Sequence, residues 1–328
     1  MTDDLQSARF PCVPVDAGHY ESFYLKAADP RRPRGAWIRY TVLKRPGLPP
    51  RGSLWCTVWT AGGPPRADKV TLEAGELSTT PEDLIRIGPG RLAHGSATGS
   101  TGGAAWELDF AGATPAFPYL PRRWMYGTPV PRTKAVSLHP LATFRGQVTV
   151  GEDTLTIDGW PGMVGHNWGT EHAERWIWLH GAGFPDAPDA WFDATIGRIR
   201  LGRLTLPWIA NGGLLLDGRL HRLGGPTAIR STSVQEQPTR CVFGLHGGGG
   251  VAVRGEVAAP EQMAVAWRYS DPGGGEHLTA NCSVASLTLT VQVGAGLERV
   301  LHLPAGAAYE LGAREQPQGI PIQPFPDP

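Results

Sequence analysis

The chain has 328 residues, enough for one large domain or two ordinary ones, and it can bury a core unaided. Its 30 Lys and Arg balance 30 Asp and Glu, and a formal charge of zero argues against a nucleic-acid partner, which would select a basic excess. No apolar run approaches the roughly 20 residues of a membrane-spanning helix, and Met1-Thr-Asp-Asp-Leu-Gln-Ser lacks the cationic and apolar regions of a secretory signal. A soluble cytoplasmic protein is expected. Cys12, Cys56, Cys241 and Cys282 form no Cys-x-x-Cys pair and read as buried small hydrophobes of a reducing compartment.

Glycine (44) and proline (31) leave almost no room for helices, since each interior Gly costs up to about 1 kcal/mol and each Pro about 3. Segments free of both have strand length and recur at the spacing of a sandwich or barrel: 21–27, 36–43, 54–60 and 69–73, then 144–150, 175–180, 191–199, 241–246, 251–257 and 263–269. About twenty such strands are expected. A closed soluble barrel rarely needs more than about ten, so an all-β chain of two barrel domains is predicted, divided as residues 1–172 and 173–328. Segment 112–140 carries six prolines among Phe117, Tyr119, Trp124 and Tyr126, too aromatic for a disordered linker. It reads as an ordered excursion across a pocket mouth or domain seam. The longest uninterrupted run, 276–293, alternates Leu287, Leu289 and Val291 with Thr288, Thr290 and Gln292, a strand period. The proline-rich last twelve residues read as an extended tail.

Between residues 158 and 208 lie six of the twelve tryptophans. Strand alternation puts Trp176, Trp178 and His180 on one face of 175–180, and Trp191, Asp193 and Thr195 on one face of the next strand. If 166–168 is extended, His166 and Trp168 also point together and Asn167 points away. One cavity lined by these faces would combine indole surfaces, which attract cations, with a carboxyl whose ionised form an apolar setting disfavours. That set suits protonation of an alkene by Asp193, orientation of acid or water by His166, and shelter of the cation by Trp168, Trp176, Trp178 and Trp191, with His180 and Asn167 beside them. The competing readings are structural: tryptophans as core, Asp193 in an ion pair with Arg175 or Arg198, and His166 bonded to a backbone carbonyl. Asn167 could equally brace a turn beside Gly165 and Gly169. Glu171, His172 and Glu174 read as a solvated polar turn.

Gly165-His-Asn-Trp-Gly169, followed by Glu171-His-Ala-Glu-Arg-Trp-Ile-Trp-Leu-His180, resembles the hydroxyneurosporene synthase (carotenoid hydratase) family and its lipocalin-like relatives. Those relatives include tocopherol cyclase-like proteins and fungal lipocalin-like Diels–Alderases. Glu21-Ser-Phe-Tyr-Leu-Lys-Ala27, Ala36-Trp-Ile-Arg-Tyr-Thr41 and Pro131-Arg-Thr-Lys134 extend the resemblance over residues of about 20 to 200. The resemblance implies two lipocalin-like (calycin) barrels with an apolar ligand inside one barrel or at their seam. It also implies that His166, Trp168 and Asp193 carry hydration, with Trp191 standing where an aromatic hydroxyl is common.

Other chemistries find less support. His166, His172 and His180 are spaced by six and eight, unlike helical zinc-ligand pairs, so no metal is expected. The glycines after His246 follow no Gly-x-Ser-x-Gly elbow and read as a hairpin turn. With neither a P-loop nor a dinucleotide fingerprint, no cofactor is expected. The leading expectation is a cofactor-independent hydratase or cyclase acting on an isoprenoid-like or polyketide-like substrate. Its rival is a lipocalin-type carrier of a lipid or secondary metabolite, and a third reading is a stress protein binding another protein. Oligomeric state is not encoded legibly.

Overall fold

The computed structural model describes residues 5–61, 63–201, 204–296 and 298–326. The first sheet takes β1 (His19–Ala28), β2 (Gly35–Lys44), β3 (Arg51–Trp59), β4 (Arg66–Leu72), β5 (Leu77–Ser78), β6 (Asp83–Ile87), β7 (Gly90–Ala93), β8 (Ser96–Ser100), β9 (Ala104–Gly112), β10 (Phe117–Pro118), β11 (Thr133–Val150) and β12 (Asp153–Gly169). The second takes β13 (Arg175–Phe184), β14 (Ala187–Arg198), β17 (Ile209–Leu216), β18 (Arg219–Gly224), β19 (Ser233–Gln237), β20 (Arg240–His246), β21 (Val251–Ala258), β22 (Val265–Ser270), β23 (Glu276–Val293) and β24 (Arg299–Ala313). A short ribbon, β15 (Arg200–Leu201) with β16 (Leu204–Thr205), stands apart.

The fold is all-β, two lipocalin-like antiparallel sheets side by side. The orders are β4-β3-β2-β1-β12-β11-β9-β8-β7-β6-β5 and β18-β17-β14-β13-β24-β23-β21-β20-β19, with β10 on β11 and β22 on β23. The connection between the two sheets is residues 170–174. Helical structure among the described residues is six short 3-10 turns, and none of their helices is long and apolar enough to cross a membrane.

Alternation explains each face. On β9, Ala104, Trp106, Leu108 and Phe110 are buried while Ala105, Glu107 and Asp109 are exposed, as a strand with one wet side requires. Strands β1 to β3 are buried on both sides instead. Their one face (Phe23, Leu25, Ile38, Tyr40, Leu54, Cys56) fills the first barrel. Trp37, Trp55 and Trp59 on the other face join the core of the second, where Trp55 meets Trp267 edge-on at 5.0 Å. The sheets therefore share a continuous seam of aromatic packing, and β1 and β2 also touch β23 and β24.

Segment 112–140 crosses this seam: Phe117, Tyr119, Leu141, Ala182 and Trp191 pack as one cluster. The tail docks through Phe325 stacked on Trp267; residues 327 and 328 of it, like 1–4 at the start, lie outside the described residues. Gly248–Gly250 turns between the paired strands β20 and β21, as a hairpin should. Cys56, Cys241 and Cys282 are buried, but Cys12 is exposed, because the loop that carries it lies on the surface.

Candidate functional site: a cavity at the seam

A cavity of about 350 Å³ opens between the sheets, lined mainly by apolar groups including Tyr24, Tyr119, Leu120, Trp176, Trp178 and Ile196. That size suits a small organic ligand. Two of its aromatic walls depend on glycines. Trp176 lies over its cross-strand partner Gly312, where a Cβ would come within 2.1 Å of the indole, and Tyr24 lies over Gly165, where the approach would be 2.4 Å. Trp176 then donates Nε1–H to Glu310 Oε1 at 2.9 Å, a carboxylate also held by Tyr269 (3.0 Å) and Asn281 (3.2 Å). Gly312→Ala is expected to push Trp176 off this wall, costing about 1–3 kcal/mol by overpacking and weakening binding of an apolar dye such as anilinonaphthalene sulfonate. Urea melts and dye titrations read both effects; an unchanged affinity would detach Trp176 from the binding surface.

Asp193 sits one side chain behind the wall and is fully buried. Its Oδ1 accepts from the Tyr119 hydroxyl at 2.5 Å and from Trp178 Nε1 at 3.1 Å, and both donors line the cavity. Oδ2 has no partner among the described residues. Burial disfavours the carboxylate and pushes its pKa up to about 6, against the opposing pull of Tyr119, Ser137, Trp178 and Lys26. Lys26 is itself buried, donates Nζ–H to the Gly306 carbonyl, and is pushed by burial down to about 7. The competing reading of Asp193 in an ion pair with Arg175 or Arg198 does not hold; Arg175 pairs with Glu236 and Glu315.

The remaining expected residues divide between two sides. Trp176 and Trp178 line the cavity as their alternation predicted, and so does Asn167, whose Oδ1 has no partner among the described residues. Trp191 shares the face of Asp193 but packs against Phe117 at 5.4 Å, away from the cavity lining. His180, opposite Asp193 in the ladder, is fully buried with Nε2 at 2.8 Å from the Pro140 carbonyl; burial, reinforced by the Lys26 charge, holds its pKa well below the usual histidine value.

His166 and Trp168 do not meet Asp193 in one cavity. They point with Val164 into the first barrel while Asn167, between them, points to the seam; period two forces the opposition. His166 is fully buried, stacked between Phe23 (4.0 Å) and Trp168 (4.6 Å), with Nε2 at 2.7 Å from Glu21 Oε1. Glu21 also contacts His19 at 3.3 Å and accepts the Arg9 and Phe10 amides. Burial opposes its ionisation, but the bonds from His166 and His19 outweigh it and hold the carboxyl down to about 2. This cluster fastens the N-terminal segment to the barrel.

Sequence reasoning missed most of the cavity lining, including Tyr24, Tyr119, Glu310 and His172. Tyr119 was legible only as one aromatic of the proline-rich excursion, with nothing to join it to Asp193. His172 is not part of a solvated turn: its side chain is 8% exposed and bonded to Asp271.

No family model matches the chain. Two uncharacterised proteins of Mycobacterium tuberculosis, from strains CDC 1551 / Oshkosh and ATCC 25618 / H37Rv, are each 26% identical over 289 residues, 88% of this chain and 85% of theirs. Among solved structures, a Nitrosomonas europaea protein provisionally named AttH has a similar fold, with a TM-score of 0.60, 12% identity and coverage of 95% of this chain and 98% of that one. Kievitone hydratase from Nectria haematococca covers 91% of this chain and 89% of its own at 12% identity, with a TM-score of 0.49.

Proposed function

We propose that the seam cavity catalyses cofactor-independent, acid-initiated hydration or cyclisation of an apolar isoprenoid-like or polyketide-like alkene, enclosed by domains 1–172 and 173–328. The observation that carries this reading is the fully buried Asp193, raised to about 6 and linked to the cavity by Tyr119. A carboxyl so placed keeps its proton up to about pH 6 and is a far stronger acid than the phenol in front of it. In the proposed step Asp193, once protonated, reverses its bond with Tyr119 and donates to the phenolic oxygen, the freed Tyr119 O–H turns to the alkene and gives its proton to the carbon as Asp193 reprotonates the phenol, and a carbocation and an Asp193 carboxylate remain. The faces of Trp176 and Trp178 stabilise the cation. Water, or a nucleophile within the substrate, captures it and releases a proton.

Apolar small molecules copurifying with the protein, identified by mass spectrometry, supply the substrate class. Recovery of an alkene together with its hydrated or cyclised product supports the enzyme. An alkene that stays unchanged on prolonged incubation supports the carrier instead. Tyr119→Phe removes the relay but little volume and is expected to cut turnover about 10²-fold with affinity retained. Turnover within twofold of the parent would remove Tyr119 from the path.

A further inference from the structure

The proposed reaction releases a proton when water attacks, and a second polar group at the cavity can accept it. His172 lines the cavity next to Trp176. Asp271 holds it twice, its Oδ1 accepting the His172 backbone N–H at 2.8 Å and standing 2.7 Å from Nδ1. The ring lies between Tyr20, stacked at 4.0 Å, and Trp176 at 5.2 Å. Such a mount leaves the imidazole one position and one favoured tautomer, with N–H on Nδ1 and the lone pair on Nε2. Nε2 is buried from bulk solvent and has no partner among the described residues.

We infer that His172 is the cavity's general base, its Nε2 taking the proton of attacking water, and that Asp271 is its positioning residue. The water O–H bond breaks as oxygen bonds to the cationic carbon, the proton moves to Nε2, and the imidazolium faces the Asp271 carboxylate, which stabilises it. Oriented imidazole–carboxylate pairs serve as bases in this way. His277 also comes close, its Nδ1 3.4 Å from Asp271 Oδ2, so His172, Asp271 and His277 bring donor atoms within 4.8 Å of one another. A base fits better than a cation cradle. Asp271 Oδ1 is already committed to the backbone and ring nitrogens of His172, and the positive charge of Arg314 acts on His277.

The inference rests on the seam cavity being the active site, but its test does not need the natural substrate. 5-Nitrobenzisoxazole undergoes elimination when a base removes its C3 proton: the N–O bond breaks and the ring opens to a coloured cyanophenolate, with no co-reactant. Protein treated with EDTA is expected to accelerate this reaction over buffer. His172→Gln should lose at least tenfold of that acceleration, and His172→Ala should regain part of it when imidazole is added. Asp271→Asn should lower kcat about tenfold with KM unchanged, a split that a merely structural role would not produce. If His172→Gln fails to fold, the His172→Ala rescue decides the matter. Parent protein no faster than buffer, His172→Gln as active as the parent, an unrescued His172→Ala, or activity that EDTA removes and zinc restores would each overturn the assignment. The two readings fail separately, because the probe reports proton removal alone and Tyr119→Phe on the alkene reports the acid. A probe reaction that follows His172 beside alkene turnover indifferent to Tyr119→Phe sinks only the acid, and alkene turnover that Tyr119→Phe lowers beside an inert His172 sinks only the base.

Discussion

Asp193→Asn is expected to lower turnover by about 10²–10⁴-fold and, at pH 8, to leave the protein at least as stable as the parent. Both follow from one carboxyl. Its folded pKa of about 6 exceeds the reference 3.8, so the native state binds this proton more tightly than the unfolded chain does. The contribution to stability is therefore fully present below pH 3.8 and is lost as pH rises through about 6. Above that, the buried charge costs the fold on the order of 3 kcal/mol, from roughly two units at 1.36 kcal/mol each. Asparagine keeps an oxygen for the Tyr119 and Trp178 donors and escapes the charge. Urea melts at pH 4 and pH 8, compared between parent and variant so that shared titrations cancel, should show the variant gaining on the parent with rising pH. A variant less stable at pH 8 by more than about 1 kcal/mol would mean that Asp193 is not a strained acid.

Much of this site was legible in the sequence, and the rest was hidden for a definable reason. Glycine and proline punctuation exposed the all-β class, and alternation set Trp176, Trp178 and Asp193 on one face of neighbouring strands. Periodicity groups residues within a strand but does not say which space the group faces. Here strands β1 to β3 and the 162–169 end of β12 have two buried sides, a barrel interior and the seam, and both read as apolar. His166 and Trp168 could thus be grouped correctly with each other and still be assigned to the wrong compartment, while Asn167 reached the cavity. Tyr119, His172 and Glu310 lie 74, 21 and 117 positions from Asp193, too far for local pattern to connect them. Asp271 joins His172 from 99 positions away.

The seam location has its own physical logic. The interior of the first barrel is filled by packed side chains, among them Phe23, Ile38, Tyr40 and Leu54. A junction between two sheets meets less perfectly, so it can enclose a void without emptying either core. Two of the large side chains that bridge it do so where glycines make room, Trp176 over Gly312 and Tyr24 over Gly165.

His166 provides the sharpest contrast with Asp193, because a structural anchor and the proposed acid fail differently. Removing either partner of the Glu21–His166 pair leaves a buried polar group uncompensated, so Glu21→Ala or His166→Ala is expected to cost about 3–5 kcal/mol. The loss should have an acid signature. Glu21 is held at about 2 against a reference of 4.5, so its contribution is present above pH 4.5 and is lost as pH falls toward 2. Glu21→Gln should abolish that part of the acid unfolding, flattening stability against pH between 4.5 and 2 relative to the parent. It should also loosen the chain around Arg9 and Phe10, whose amides Glu21 holds, so trypsin should cut there sooner. Turnover per folded molecule should stay within a few-fold of the parent, because His166 faces the barrel and not the cavity. A His166→Asn protein of parental stability but without activity would reverse this assignment and return the histidine to the chemistry.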